Sequence, residues 1–79
     1  MAQTLNELSV GDAAVISKIA GSGDIRRRIL DMGIGKGVEI KVEKMAPLGD
    51  PIDVFVKGYH LSLRKEEAKS IQVVEVRHG

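Results

Sequence analysis

The chain has 79 residues, of which 12 are Lys or Arg and 11 are Asp or Glu, so its formal net charge is +1. A chain of this size builds one domain with a thin core, and the absence of cysteine excludes disulfides and a thiolate zinc cluster. The near-neutral charge and the two aromatic residues argue against nucleic-acid binding, which uses basic patches and stacking platforms.

The chain also lacks the sequence features of secretion and membrane insertion. Residues 1–10 contain no positively charged segment that leads into an apolar stretch, as a secretory leader would. No segment approaches the ~20 apolar residues that a membrane-spanning helix needs. We therefore expect a cytoplasmic protein that does not insert directly into the membrane.

Five β-strands are predicted from runs in which apolar residues alternate with polar ones or dominate. In chain order they cover residues 14–19, 38–46, 52–57, 59–64 and 71–76. The pair Lys57-Gly58 is short enough for a tight hairpin turn, in which Gly58 is free to take positive φ. The pair Val73-Val74 interrupts the alternation of the last strand, which predicts a β-bulge or burial on both faces.

One helix is predicted between the first two strands, over residues 24–32, because its apolar residues recur at helical spacing. Ser22 or Asp24 can cap its start. Gly33 follows its last apolar residue, at the C′ position where a left-handed backbone favours glycine. Residues 65–70 are long enough for a helical turn before the last strand.

These elements predict an all-β fold, a small partly open barrel with a short helical insertion. An SH3-like barrel fits best, and a five-stranded OB fold is the competing architecture, although its helix usually occupies another place in the chain. We expect a single domain over residues 1–79, with its core over about residues 5–76. Exposed edge strands leave room for a weak homo-oligomer.

Two basic or glycine-rich patterns have simple structural explanations. The run Arg26-Arg27-Arg28 suggests phosphate binding, but consecutive helical side chains are about 100° apart and splay around the helix. A solvated face is therefore favoured over contact with an acidic partner. Gly33, Gly35 and Gly37 lead into a strand, whereas the glycines of a dinucleotide cradle lead into a helix.

No metal site, cofactor or catalytic residue is assigned. His60 and His78 are the only histidines, no pair of ligands shares one helical face, and His78 lies in a tail that we expect to fray. No cysteine is available as a nucleophile, and no serine stands in a glycine-rich elbow motif, so we do not expect an enzyme.

The connection between the second and third strands is the predicted functional surface. Pro47, Gly49 and Pro51 punctuate residues 46–51, here called the proline loop, and would keep it rigid and outside the sheet. Prolines also limit the entropy that is lost when such a loop docks on a partner. The opposing interpretation is that the prolines only stiffen the turn while Leu48 packs under the barrel.

Three segments, in order, resemble the FeoA-like family over about residues 5–76. They are Gly11 to Ile16, Arg28 to Gly33 and the proline loop, and the pattern continues through Leu61 to Ala68. The resemblance implies an SH3-like barrel in the cytoplasm, an interaction module without enzymatic activity. It also implies a partner, the ferrous-iron transporter FeoB, which carries an N-terminal GTPase domain.

The predicted docking surface combines the proline loop and its flank with residues 30–33, here called the helix shoulder. Its candidate residues are Leu30, Met32, Gly33, Met45, Pro47, Leu48, Asp50 and Pro51. Two other functions remain open from the sequence. One is a metal-responsive sensor, and the other is an SH3-like regulatory domain related to that of iron-dependent repressors.

Overall fold

The computed structural model describes residues 3–79, which form one antiparallel six-stranded sheet in the order β1-β6-β2-β3-β4-β5. The elements are β1 (Gln3–Thr4), a 3₁₀ turn (Leu5–Glu7), β2 (Ala13–Ile19), α1 (Gly23–Asp31), β3 (Glu39–Met45), β4 (Ile52–Val56), β5 (Tyr59–Leu63), α2 (Lys65–Lys69) and β6 (Ile71–Arg77). The predicted mostly-β fold is confirmed. Within residues 3–79, no helix is long and apolar enough to span a membrane.

The core is built from alternate residues of the strands. Ile40 and Val42 of β3, and Val54 and Val56 of β4, are completely buried, while the intervening Lys41 is exposed. This follows from the period of two along a strand, which sends successive side chains to opposite faces. The other large side chains that are fully buried are Leu5, Ile16, Ile29, Ile34, Ile52, Leu63, Ile71 and Val73.

Strand β1 was not predicted. It has only two residues, and Gln3 and Thr4 lie opposite Val73 and Gln72 of β6. A pair of residues is too short to show a hydrophobic period, so its strand conformation is decided by pairing with β6 rather than by local pattern.

Both predicted irregularities of the strands are present. Lys57 (φ 52°) and Gly58 (φ 85°) both have positive φ in the β4–β5 turn, as a type I′ hairpin requires. In β6, Val74 lies opposite Val15 but Arg77 lies opposite Ala13, so β6 carries one extra residue there. The prediction of a bulge is therefore confirmed, whereas burial on both faces is wrong, because Val74 is 44% exposed.

Helix α1 begins and ends as its sequence predicts. Ser22 caps it by accepting a hydrogen bond from the Ile25 N–H at 3.4 Å. At its other end Gly33 has φ +85°, and its N–H donates to the Leu30 carbonyl at 3.0 Å. The Ile34 N–H donates to the Ile29 carbonyl at 3.3 Å, which completes a Schellman motif and brings two buried isoleucines to the helix end.

Candidate partner-binding surface

The proline loop stands outside the core. Leu48 at its tip is 88% exposed, so the interpretation that it packs under the barrel is wrong. The loop closes on itself, because the Ala46 N–H donates to the Pro51 carbonyl at 3.1 Å and the Gly49 N–H donates to the Ala46 carbonyl at 2.7 Å. Leu48 is thus a large apolar side chain held in water by a hydrogen-bonded turn.

Asp50 fastens the proline loop to the start of α2. One carboxylate oxygen of Asp50 accepts a hydrogen bond from the Lys65 N–H at 3.2 Å, and the Arg64 Nε lies 3.6 Å from the same oxygen. Met45, at the other end of the loop, is partly buried against the core. These two candidate residues position the loop, and Asp50 is exposed like Pro47, Leu48 and Pro51.

Of the three candidate residues in the helix shoulder, one is exposed and two make internal contacts. Leu30 is 41% exposed. Met32 packs partly against the core, and its carbonyl accepts a hydrogen bond from the Tyr59 hydroxyl at 2.6 Å. The same hydroxyl covers Gly33, where an added Cβ would lie 2.6 Å from it. Leu30 is therefore the shoulder residue that is most available to a partner.

The two halves of the predicted surface lie at opposite ends of β5. Met32 contacts Tyr59, the first residue of this strand, while Asp50 contacts the backbone N–H of Lys65, just beyond its last residue, Leu63. Four residue steps along a strand span about 13 Å. The two halves thus contact opposite ends of β5, and these contacts do not join them into one cluster.

Three cations that sequence reasoning did not connect surround Leu30. A groove of about 400 Å³ is lined by Leu30, Arg26, Lys18, Lys36 and neighbouring atoms of β2. Within residues 3–79, none of these three cations has an ion-pair partner. They come from β2, α1 and the loop before β3, so only the tertiary structure brings them together.

The arginine run splays as expected. Arg28 contacts the buried carboxylate of Glu67 in α2, with Nη1 3.4 Å from Oε2, and the Arg64 N–H donates to the other oxygen of that carboxylate at 2.8 Å. Arg26 instead lines the groove beside Leu30. The three arginines therefore do not form one anion-binding cluster.

The two histidines contact different carboxylates. His60 Nδ1 is 2.5 Å from Glu43, and His78 Nδ1 is 3.1 Å from Asp12. His78 thus makes a side-chain contact with Asp12 although it lies beyond the end of β6. The Ser9 N–H and His78 hold the pKa of Asp12 below its usual value. In the described part of the chain no group of three His, Cys, Asp or Glu residues is placed to hold a metal.

Comparison with known proteins decides the family. The family model of the FeoA domain, which describes the sequences of that family, matches residues 3–75, nearly the whole chain. This chain belongs to the FeoA family. The chain is also 46% identical, over 69 residues, to the Fe(2+) transport protein A/Fe(2+) transporter FeoB fusion protein of Porphyromonas gingivalis. The match covers 87% of this FeoA chain and 8% of the fusion protein, so the chain spans a small part of that protein's length.

Solved structures agree with this assignment. The FeoA-like protein of Clostridium acetobutylicum is 44% identical, with a TM-score of 0.88 over 99% of this chain and 92% of that one. FeoA of Stenotrophomonas maltophilia complexed with zinc, described as a procaryotic SH3 domain protein, is 31% identical, with a TM-score of 0.85 over 98% of both chains. The predicted SH3-like barrel and the predicted family are confirmed.

The family membership also gives the process to which the chain belongs. FeoA domains are linked to ferrous iron transport, and in the Porphyromonas gingivalis relative the FeoA part is fused to the transporter FeoB. The predicted link to ferrous iron transport is confirmed at this level.

Proposed function

We propose that this FeoA domain is a non-enzymatic cytoplasmic accessory that docks on the cytoplasmic part of a FeoB-type ferrous-iron transporter. The fused relative carries this proposal, because its FeoA and FeoB parts share one chain. A short flexible linker holds two modules at an effective concentration in the millimolar range. A fusion of this kind is advantageous when the two modules function by contacting each other.

The docking surface that we propose is the proline loop together with the helix shoulder. Leu48 is 88% exposed and Leu30 is 41% exposed, and burial of such side chains is the usual source of binding free energy at an interface. The two halves contact opposite ends of β5, a strand about 13 Å long, and an interface of standard size covers about 800 Å² on each partner. One partner can therefore cover both halves.

Charge indicates which kind of partner surface would meet the helix shoulder. Lys18, Arg26 and Lys36 surround Leu30, with no ion-pair partner among residues 3–79. An acidic surface with an apolar residue at its centre would complement them. Such complementarity mainly raises the association rate and the specificity.

The test is a titration of isotope-labelled protein with the GTPase domain of its own organism's transporter, in each nucleotide state, followed by NMR. We expect amide shifts at the helix shoulder and the proline loop. Leu48→Asp should abolish these shifts and leave the melting temperature unchanged, because Leu48 makes no core contact. The matched control is Val10→Asp, which places the same charge at another apolar residue that is 57% exposed.

The outcomes separate the proposed functions. Unchanged binding by the Leu48→Asp variant would contradict the proposed docking surface. Absence of shifts at high concentration of the GTPase domain would move the contact to the membrane region of the transporter. A stoichiometric titration with ferrous iron would instead support a metal sensor.

A further inference from the structure

A second groove crosses the outer face of the sheet, and it shares no residue with the surface proposed above. Its volume is about 820 Å³, and its lining includes Ala13, Lys41 and Phe55. In the strand register Arg77 lies opposite Ala13, Ala13 opposite Lys41, and Lys41 opposite Phe55, so these four residues form one row across β6, β2, β3 and β4. Three interstrand spacings make this row about 14 Å long.

The floor of this groove is apolar. The short side chain of Ala13 lies between the longer ones of Arg77 and Lys41, which lowers the floor at β2. Val38 and Phe55 add apolar surface, and Phe55 is 37% exposed. The ring of His60 braces Phe55, with ring centroids 5.0 Å apart, and His60 is itself held by Glu43. The aromatic wall of the groove is therefore supported by neighbouring side chains.

The rim of the groove is basic. Lys41, Lys57 and Arg77 line it, and the one acidic side chain of the lining, Glu39, already pairs with Arg77. Lys41 and Lys57 have no ion-pair partner among residues 3–79. The type I′ turn fixes Lys57 at one end of the groove, where its backbone has φ 52°. The groove thus offers two exposed ammonium groups, one between Ala13 and Phe55 and one at the β4–β5 turn.

We propose that this groove binds an extended acidic segment of a partner protein. A segment of about four residues matches the row of about 14 Å, because an extended chain advances about 3.3 Å per residue. Apolar side chains of the segment pack on Ala13, Val38 and Phe55, and its carboxylates meet Lys41, which stands between Ala13 and Phe55, and Lys57 at the β4–β5 turn. This surface is independent of the transporter contact and adds a second binding site to the domain.

The chemistry of the groove favours this occupant over two others. A second copy of the chain would bring its own Lys41 and Lys57 against the same cations, and like charges at an interface are unfavourable. A nucleic-acid strand requires successive aromatic surfaces for its bases, and Phe55 is the one phenylalanine of the chain. Apolar residues interspersed with two ammonium groups instead match alternating acidic and apolar side chains.

The test uses the isotope-labelled full chain and the pentapeptide acetyl-Asp-Leu-Asp-Leu-Glu-amide, whose isosteric control replaces the acids by Asn and Gln. We expect the acidic peptide to shift the amides of β3, β4 and the turn between β4 and β5. The double variant Lys41→Glu/Lys57→Glu should weaken binding at least about tenfold, because two attractive contacts become repulsive. Lys44→Glu is the matched control, since Lys44 lies on the same strand but lines a different groove.

Several outcomes would overturn the inference. The first is absence of shifts at millimolar peptide, and the second is equal binding by the Asn and Gln peptide. If Lys44→Glu weakened peptide binding as much as the double variant, the effect would come from the overall charge of the protein and not from the groove. Displacement of the peptide by an equimolar thymidine oligonucleotide would assign the groove to nucleic acid. Binding should also weaken between about 0.1 M and 1 M salt, where the Debye length falls from about 10 Å to 3 Å.

Discussion

Gly33 and Tyr59 offer a sharp test of how the helix end is held. Gly33 has φ +85°, and the Tyr59 hydroxyl both donates to the Met32 carbonyl at 2.6 Å and occupies the space that a Cβ at Gly33 would need. Gly33→Ala should therefore destabilise the fold in two ways. The left-handed backbone costs an alanine about 1 kcal/mol. The methyl group also displaces the hydroxyl, and the lost hydrogen bond costs about 1 kcal/mol more.

The double variant distinguishes this mechanism from two independent effects. Tyr59→Phe alone should cost about 1 kcal/mol, the usual net contribution of one hydrogen bond. In that background Gly33→Ala meets no hydroxyl, so only its backbone cost of about 1 kcal/mol remains. The double variant should therefore cost about 2 kcal/mol, where simple addition would give about 3 kcal/mol. The measurement is the free energy of unfolding from urea denaturation of the four proteins.

Gly37 is the matched control, because it has φ +86° but no heavy atom within 4 Å of an added Cβ. Gly37→Ala should cost about 1 kcal/mol and should add to Tyr59→Phe without coupling. The mechanism is refuted if the costs of Gly33→Ala and Tyr59→Phe add within about 0.5 kcal/mol. It is also refuted if Gly37→Ala couples to Tyr59→Phe as strongly as Gly33→Ala does.

Two further predictions concern the core and acid stability. Ile40→Ala should lower the free energy of unfolding by about 2 to 5 kcal/mol, because Ile40 is completely buried, and a loss no larger than that of exposed Val74→Ala would contradict the core assignment. Hydrogen bonds from Thr4 lower the pKa of Glu7, and those from Ser9 and His78 lower that of Asp12, so both carboxylates stabilise the fold above their ordinary pKa. This stabilisation is lost as the pH falls through the lowered pKa values of the two carboxylates. Asp12→Asn should therefore lower the free energy of unfolding most at pH 7, and its effect should shrink below about pH 4. An effect that does not change with pH would contradict this assignment. So would an equal pH dependence for Asp31→Asn, since Asp31 is exposed.

Much of the fold was predictable because its signals are local. The alternation of Ile40 and Val42 with polar neighbours identifies β3, and the same period identifies the β4–β5 hairpin. The positions of Ser22 and Gly33 identify the two ends of α1 within one residue. The observed bounds of α1 are Gly23–Asp31, against a predicted 24–32. Strand β1 escaped prediction because two residues cannot show a period.

The candidate binding surface was predictable only in part. The proline content of residues 46–51 indicated an exposed loop, but pattern alone could not decide between an exposed and a buried Leu48, which is 88% exposed. The structure pairs Arg28 with Glu67, 39 residues away, a contact that no local spacing indicates. The cations around Leu30 had no common sequence signal.

The sequence by itself determined the family, the strands with a clear period, the hairpin turn and the ends of α1. These depend on side-chain period and on the backbone preferences of single residues, both of which act over a few positions. Only the tertiary structure decided that the Tyr59 hydroxyl donates a hydrogen bond to the Met32 carbonyl and that His78 contacts Asp12. It also decided that Arg77, Ala13, Lys41 and Phe55 form one row. Such contacts join distant parts of the chain. They depend on strand order and register, and no short segment encodes either of these.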